Sequence, residues 1–176
     1  MLTRLGAFIR HSWMDASDTR KLVPPGVSQK IAQQVARSEH QHMGEVRICL
    51  ESALPRSYLW RHVRGVPLEQ VVRQRALTLF GKLRVWDTER NNGVLIYLLL
   101  AERAIELVAD RGLNQAISPE EWKSVVQRLS VSLEAGEFEK GLTHVLDEVS
   151  ALLARHFPAA PGDVRSNELA NEPVLL

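Results

Sequence analysis

The most constraining feature of this chain is the run Val94–Leu100, VLIYLLL, which contains no charged or amide side chain. A strand with one solvent-facing side needs polar residues at alternate positions, so an unbroken apolar run is typical of a strand covered on both faces. Helices on both sides of a sheet provide that cover. With 176 residues, the chain is long enough for one domain with its own core. The run therefore predicts a layered α/β domain.

Two further strands are predicted beside this central run. Residues 45–52, EVRICLES, alternate apolar and polar side chains, the pattern of a strand with one polar-leaning face. Residues 104–109, AIELVA, follow the central run after the short stretch AER, so these two segments predict a hairpin.

Helices are predicted around these strands. The first runs from Val27 to Gly44, with Gly44 as its stop, and the second begins near Pro67. A third begins at Ser118, because SPEE combines a capping serine, a proline at the first helical position and a glutamate three residues after the cap. The last begins at GEFEKGL. The order helix, strand, helix, strand, strand, helix, helix predicts a three-layer α/β/α sandwich with a small mixed sheet.

The ends of the chain differ from its middle. Residues 1–25 finish in two prolines and predict an N-terminal arm with a docked Trp13. The predicted domain occupies residues 26–157. Residues 158–176 lack periodicity and predict a flexible C-terminal tail.

Composition limits the partners and the compartment. A net charge of +1 gives no broad attraction to nucleic acid, so we expect a protein partner and no nucleic acid. The single cysteine, Cys49, excludes an intrachain disulfide and fits a reducing compartment. Leu5–Ile9 is too short for a signal-peptide core, and no apolar run reaches the roughly 18 residues of a membrane span. We therefore expect a cytoplasmic protein that does not span a membrane.

The predicted topology gathers polar residues at one edge of the sheet, which we call the rim. In the hairpin, the central strand begins where strand 104–109 ends, so loops 86–92 and 110–117 meet there. A helical crossover requires strand 45–52 to run parallel to the central strand, which places its start at the same edge. The helix beginning at Ser118 should point there too and favour an anion. The side chains expected at the rim are Glu39, His42, Glu45, Asp87, Glu89, Asn91, Asn92, Asp110 and Arg111.

Carboxylate and amide oxygens at one place indicate a site for a hard divalent cation such as Ca2+ or Mg2+. DTERNNG offers oxygens at positions 87, 89 and 91 but is no EF-hand, since its glycine comes one place late and Leu98 stands where the loop's last glutamate would be. The candidate ligands are Asp87, Glu89, Asn91, Asn92, Asp110 and Glu45, with Glu39, His42 and Arg111 as further binding residues.

A simpler interpretation of these residues is open. Asp87 and Asn92 are residue types that often hydrogen-bond backbone groups around turns. Asp110 and Arg111 can form a surface ion pair of little energetic weight. Glu39 falls on the apolar stripe of its helix, and a buried carboxylate needs a cation or a donor, for which Arg111 or a metal would serve.

Other motifs give weaker signals. His40 and His42 point in different directions on a helix, and no second cluster completes a zinc site. Cys49 has six residues between it and Arg56, whereas the phosphate loop of cysteine phosphatases has five, so we predict a packed thiol. The basic stretch Arg56–Arg64, RSYLWRHVR, has two readings. It contacts phosphates or an acidic partner, or, as we favour, Leu59, Trp60 and Val63 pack on the sheet while the arginines stay solvated.

The chain resembles the TPM domain family over roughly residues 30–157. The resemblance rests on the asparagine-rich loop that runs into a hydrophobic strand in RVWDTERNNGVLIYLLL, on RAIELVADRGL, and on the helix start FEKGL. This family includes a thylakoid-lumen acid phosphatase and photosystem repair proteins. The resemblance implies an α/β/α sandwich, calcium or another divalent ion in some members and phosphatase activity in a few. DRGLNQAISPE stands where members usually have a glycine-tyrosine-glycine turn and an aspartate.

Two classes of function follow. The favoured one is a non-catalytic accessory module whose rim, or whose basic stretch, docks a partner protein. The other is a weak metal-dependent phosphatase in which Asp87 and Asp110 ligate the ion and Arg111 clamps phosphate. The sequence identifies no catalytic nucleophile.

Overall fold

The computed structural model describes residues 11, 16–134, 138–160, 162 and 167–176, so the predicted docking of Trp13 lies outside the described residues. These residues form seven helices, four strands and a 3-10 turn at Leu100–Glu102. In chain order the helices and strands are α1 (Ala16–Leu22), α2 (Pro25–Glu39), β1 (Glu45–Glu51), α3 (Arg56–Val63), α4 (Leu68–Lys82), β2 (Gly93–Leu99), β3 (Ala104–Ala109), α5 (Arg111–Ala116), α6 (Pro119–Glu134), α7 (Phe138–His156) and β4 (Val174–Leu175).

The sheet confirms the predicted mixed topology. Its strand order is β3-β2-β1-β4. β2 pairs parallel with β1 and antiparallel with β3, so the crossover and the hairpin are both as predicted. Every residue of β2 is buried, as an apolar run without alternation requires.

Two cores lie on opposite faces of the sheet and make it the middle layer of an α/β/α sandwich. The first core joins Ile48 and Ile96 of the sheet to side chains of α2, α6 and α7. The second joins Leu95 and Tyr97 to side chains of α3 and α4. Cys49 is fully buried in the second core, where burial raises the pKa of its thiol to about 12, in agreement with a packed thiol. Within the described residues, no helix is both long and apolar enough to cross a membrane.

The first predicted helix ends early. α2 stops at Glu39, and the chain then pairs His42 with Pro158 and donates a hydrogen bond from Met43 N to Phe157 O at 2.8 Å. Gly44 is needed for packing rather than as a helix stop, because a Cβ there would lie 2.9 Å from Leu153 Cδ1. Contacts with the end of α7 therefore override the local signal.

Three short helices were not predicted. Residues 16–22 were expected within an N-terminal arm, residues 56–63 within the basic stretch and residues 110–117 as a loop, but these segments contain α1, α3 and α5. All three helices are too short to show a clear apolar period. On α3, Leu59 packs in the second core as expected, whereas Trp60 is 54% exposed and Val63 is 39% exposed, so the prediction that these two residues pack on the sheet was wrong.

Residues 167–176, expected within a flexible tail, lie along the outer edge of β1. Leu169 is buried in the second core, and Val174 pairs with Cys49. Arg47 Nη1 donates to Glu172 O at 2.8 Å, and Thr19 Oγ1 donates to Leu176 O at 2.9 Å. A two-residue strand has no period of its own, so only pairing with β1 defines it.

Candidate ligand-binding rim

Strand pairing brings the predicted loops together around Gly93. Gly93 lies opposite Glu45 in the parallel pair of β1 and β2. Glu45 N donates to Asn92 O at 3.1 Å, and Asp110 N donates to Gly93 O at 2.9 Å. The start of β1, the start of β2 and the end of β3 therefore meet at one edge, which is the rim.

Close backbone contacts make the rim compact. A Cβ on Gly93 would lie 2.0 Å from Val85 O, and one on Gly112 would lie 2.6 Å from Asn91 O. Gly112 N donates to Asn91 O at 3.0 Å. Only glycine permits these approaches, so loop 86–92 is held against both the preceding turn and α5.

Hydrogen bonds hold Asn92 in place, but one of its side-chain atoms takes part in none of those described. It is 3% exposed, its N–H donates to Thr88 Oγ1 at 3.0 Å, and its Nδ2 donates to Met43 O. Its Oδ1 is buried and accepts no hydrogen bond from the described residues. The Asn92 amide thus fixes the loop and offers an unused acceptor.

Asp110, like Asn92, has one buried oxygen without a described partner, and its side chain is a charged carboxylate. It is 8% exposed and caps α5, with Oδ1 accepting from Arg111 N at 2.7 Å. Oδ2 is buried and has no hydrogen-bond partner in the described part of the chain. A buried oxygen without a donor is costly, so the Asp110 carboxylate calls for a cation or a donor beyond the contacts of the described residues.

Asp87, Glu89 and Asn91 are engaged within and around their loop rather than directed at one point. Asp87 is half-exposed and pairs with Arg84. Glu89 is exposed, and its N–H donates to Glu168 Oε2 at 2.7 Å. Asn91 has a positive φ of 51° and accepts at Oδ1 from Arg111 Nε at 2.9 Å.

These contacts correct part of the simpler interpretation. Asn92 does bond a backbone carbonyl, as a turn residue would, but the Asp87 carboxylate binds the Arg84 side chain. The expected side-chain pair of Asp110 and Arg111 does not form among the described contacts, because Asp110 binds the Arg111 N–H and the guanidinium turns to Asn91.

Glu39, His42 and Glu45 are held by backbone groups. Glu39 Oε1 accepts from Val46 N at 3.0 Å, so this carboxylate has the donor that its position demands, and that donor is neither Arg111 nor a metal. Glu45 Oε2 accepts from Leu169 N at 3.3 Å. His42 is fully buried, and its Nδ1 donates to Gly44 O at 3.0 Å.

The described part of the rim does not form a protein cage for a metal ion. In the residues that the structure describes, no group of three or more His, Cys, Asp or Glu is arranged to hold a metal. Asp110 Oδ2 and Asn92 Oδ1 supply one carboxylate and one amide oxygen. Magnesium commonly keeps several waters and uses one or two carboxylates, so an ion at the rim would have to be largely hydrated.

The helix that begins at Ser118 does not offer the expected anion site. The capping box is confirmed, since Glu121 Oε2 accepts from Ser118 N at 3.1 Å and Glu121 N donates to Ser118 Oγ at 3.3 Å. His156 Nε2 also donates to Glu121 Oε1 at 3.1 Å. Hydrogen bonds from the Ser118 backbone, His156 and the Ser118 hydroxyl lower the pKa of Glu121. A carboxylate therefore already occupies this helix end.

A second buried polar group lies at the other end of the sheet. Arg75 Nε donates to Glu51 Oε2 at 2.9 Å, Arg75 Nη2 donates to Glu51 Oε1 at 2.5 Å, and Tyr97 OH donates to Glu51 Oε2 at 2.7 Å. Burial and the Glu51 charge raise the pKa of Tyr97. We call Glu51, Arg75 and Tyr97 the buried triad. The lone hydroxyl in an otherwise apolar buried strand was the available signal, since such a group needs a partner.

Fold and rim together define a three-layer α/β/α domain with polar loops gathered at the start of its central strand. The model of the TPM domain family, TPM_phosphatase, matches residues 16–152, so the chain belongs to this family. The NMR structure of the BA42 protein from the psychrophilic bacterium Bizionia argentinensis has the same fold. The two chains are 24% identical in sequence, and their structures superpose with a TM-score of 0.69. The match covers 84% of this chain and 90% of the BA42 chain. A comparison with curated proteins finds no match.

Proposed function

We propose that the chain is a non-catalytic accessory module of the TPM family that binds a hydrated divalent cation, Ca2+ or Mg2+, at the rim. One observation carries the proposal. Asp110 Oδ2 and Asn92 Oδ1 are buried acceptors without hydrogen-bond partners among the described residues, and both flank Gly93. A cation satisfies both oxygens, whereas water satisfies them without neutralising the charge of Asp110.

The residues take different parts in this proposal. Asp110 provides the charge and Asn92 a neutral oxygen. Asp87, Glu89, Asn91 and Glu45 would contribute only through water, since their described contacts do not direct them at one point. Because Asp110 also caps α5, ion binding would stabilise the start of that helix.

A non-catalytic role is supported by the state of the single cysteine. Cys49 is buried in the second core, where burial raises the pKa of its thiol. A thiol in that state is a poor nucleophile.

The basic stretch Arg56–Arg64 is the proposed docking surface for the protein partner. Trp60 is about half exposed on α3 between exposed arginines at 56, 61 and 64. Tryptophan and arginine are the residue types most often dominant in protein interfaces. Replacing Trp60 with alanine should weaken partner binding and leave ion binding at the rim unchanged.

We place this module in the cytoplasm. The lone thiol Cys49 supports a reducing compartment, because no intrachain disulfide can form. Fractionation of expressing cells tests the placement, and recovery of the chain in an exported fraction would contradict it.

Isothermal titration calorimetry with calcium, magnesium and manganese tests the rim. Wild type should bind at least one of these ions. Asp110→Asn should bind about tenfold more weakly or not at all, because it keeps the capping side chain but loses the charge. Asp147→Asn, at an exposed acid on α7, is the matched control and should bind like wild type. A flat wild-type trace, or undiminished binding by Asp110→Asn, rejects the proposal.

Phosphomonoester hydrolysis at the same rim is the alternative. It is favoured by the name of the matched family model and by exposed Arg111 beside Asp110. The assay is hydrolysis of p-nitrophenyl phosphate with magnesium. Turnover that is lost in both Arg111→Ala and Asp110→Asn would support the alternative over the accessory role. Turnover that survives both substitutions would place any activity elsewhere.

A further inference from the structure

The strand β3 lies at the edge of the sheet, and no described strand pairs with its outer side. Asp110 N donates to Gly93 O at 2.9 Å, which makes these two residues a hydrogen-bonded pair. Such pairs alternate along an antiparallel ladder. In the register of β2 and β3, Leu107 and Ala109 therefore turn their N–H and C=O groups away from β2.

Two side chains confirm this orientation. Arg73 Nη1 donates to Leu107 O at 2.6 Å, and Asn114 Nδ2 donates to Ala109 O at 2.8 Å. The outward carbonyls are thus partnered. The outward N–H groups of Leu107 and Ala109 have no acceptor among the residues described. The outer edge of β3 therefore presents the backbone N–H groups of Leu107 and Ala109 as hydrogen-bond donors.

The donors line an open groove of about 420 Å³ between α4 and α6. Trp122 and Val126 of α6 form an apolar wall, and Arg73 of α4 lies on the opposite side. Both helices pack on β3 but leave this space between them. An added chain segment would have the edge of β3 as its base and helices on both sides.

The groove carries net positive charge. Lys123 is exposed and makes no ion pair or hydrogen bond with the described residues. Arg73 is paired with Glu106 at 3.1 Å. Burial raises the pKa of Glu106, although Arg73 acts in the opposite direction. Because Glu106 is paired with Arg73, the positive charge of Lys123 is not balanced by a described acid of the groove and can attract an acidic side chain.

We propose that the outer edge of β3 docks an extended acidic segment of a partner protein, which adds a strand to the sheet. Donors two residues apart on a strand are separated by about 7 Å, the spacing of alternate carbonyls in an extended peptide and too wide for one small anion. The Leu107 carbonyl has a second lone pair, so it can accept from the segment while Arg73 remains bound. Main-chain bonds supply affinity, and Lys123 supplies the preference for acid. This surface is independent of an ion at the rim.

Fluorescence anisotropy of the full chain tests the proposal with two labelled peptides, one alternating threonine and glutamate and the other threonine and lysine. The acidic peptide should bind at least about fivefold more tightly, since its charge is opposite to that of Lys123. Its addition should shift the NMR signals of the Leu107 and Ala109 amides and slow their hydrogen exchange. Equal affinities, or unperturbed amides, would overturn the proposal.

Two variants separate the donors from the charge. Ala109→Pro removes an outward N–H that takes no part in pairing with β2, and it should abolish binding of the acidic peptide. Lys123→Glu should reverse the preference between the peptides, while Lys82→Glu, at an exposed lysine outside the groove, should not. If Ala109→Pro does not fold, the peptide preference of Lys123→Glu and the NMR signals of the Leu107 and Ala109 amides in the wild-type chain still test the proposal.

Two further experiments distinguish the peptide site at β3 from the ion site at the rim, and a partner protein from a second copy of this chain. Asp110→Asn should retain peptide binding, so loss of the ion and loss of the peptide are separate outcomes. Sedimentation of the free chain tests for a second copy at this edge. A dimer in which the Leu107 and Ala109 amides are already protected would show that the occupant is another copy and would overturn the proposal.

Discussion

The rim and the buried triad lie at opposite ends of β1 and β2, and each contains a buried carboxylate. At the triad, both oxygens of Glu51 accept hydrogen bonds from Arg75 or Tyr97. At the rim, one oxygen of Asp110 caps α5 and the other has no partner among the described residues. A carboxylate whose oxygens are all satisfied within the chain contributes to the fold. One that keeps a buried oxygen without a partner among the described residues is the candidate ligand for the proposed ion.

The largest effect is expected from breaking the triad on one side. Arg75→Met leaves the Glu51 charge buried without its cation, which should lower the free energy of unfolding by about 3–5 kcal/mol. Urea denaturation followed by circular dichroism measures this difference. The triple variant Glu51→Leu, Arg75→Met and Tyr97→Phe, which also removes the hydroxyl that donates to Glu51, is the control and should recover most of the loss. A loss below about 1 kcal/mol for the single variant would remove the contrast with the rim.

Asp110→Asn should behave in the opposite way without divalent ions. The variant removes a buried charge that lacks a full set of partners and retains a capping residue, so the free energy of unfolding should change by less than about 1 kcal/mol. Calcium or magnesium should then raise the melting temperature of wild type but not that of the variant. Equal ion-induced shifts in thermal denaturation would show that Asp110 is not the ligand.

The smallest effect is expected at Glu121, a partly exposed carboxylate. The folded pKa of Glu121 is lowered from its ordinary 4.5 by the Ser118 backbone, His156 and the Ser118 hydroxyl. Its contribution to stability is therefore complete above pH 4.5 and is lost as the pH falls through the lower folded pKa. Glu121→Gln should flatten this part of the stability profile, measured by urea denaturation between acidic and neutral pH. An unchanged profile would contradict the assignment.

Much of the fold was predictable because its central strands have strong local patterns. The unbroken apolar run of β2 identified a strand covered on both faces, and its short connection to β3 identified a hairpin. The crossover from β1 then placed the start of β1, the start of β2 and the end of β3 at one edge, as the structure has them. In contrast, α3, α5 and β4 are too short for their periodicity to be read, and the strand β4 exists only through its pairing with β1.

The sequence by itself determined the covered central strand, the α/β/α layers and the edge at which the polar residues gather. Only the tertiary structure decided which of those residues remain available. Glu39 is held by the N–H of Val46, and Glu45 by that of Leu169, while Asp110 and Asn92 each have an oxygen without a partner in the described part of the chain. The physical reason is that apolar periodicity is local along the chain. A carboxylate's partner, in contrast, is often a backbone group brought near by folding, which no spacing of side chains encodes.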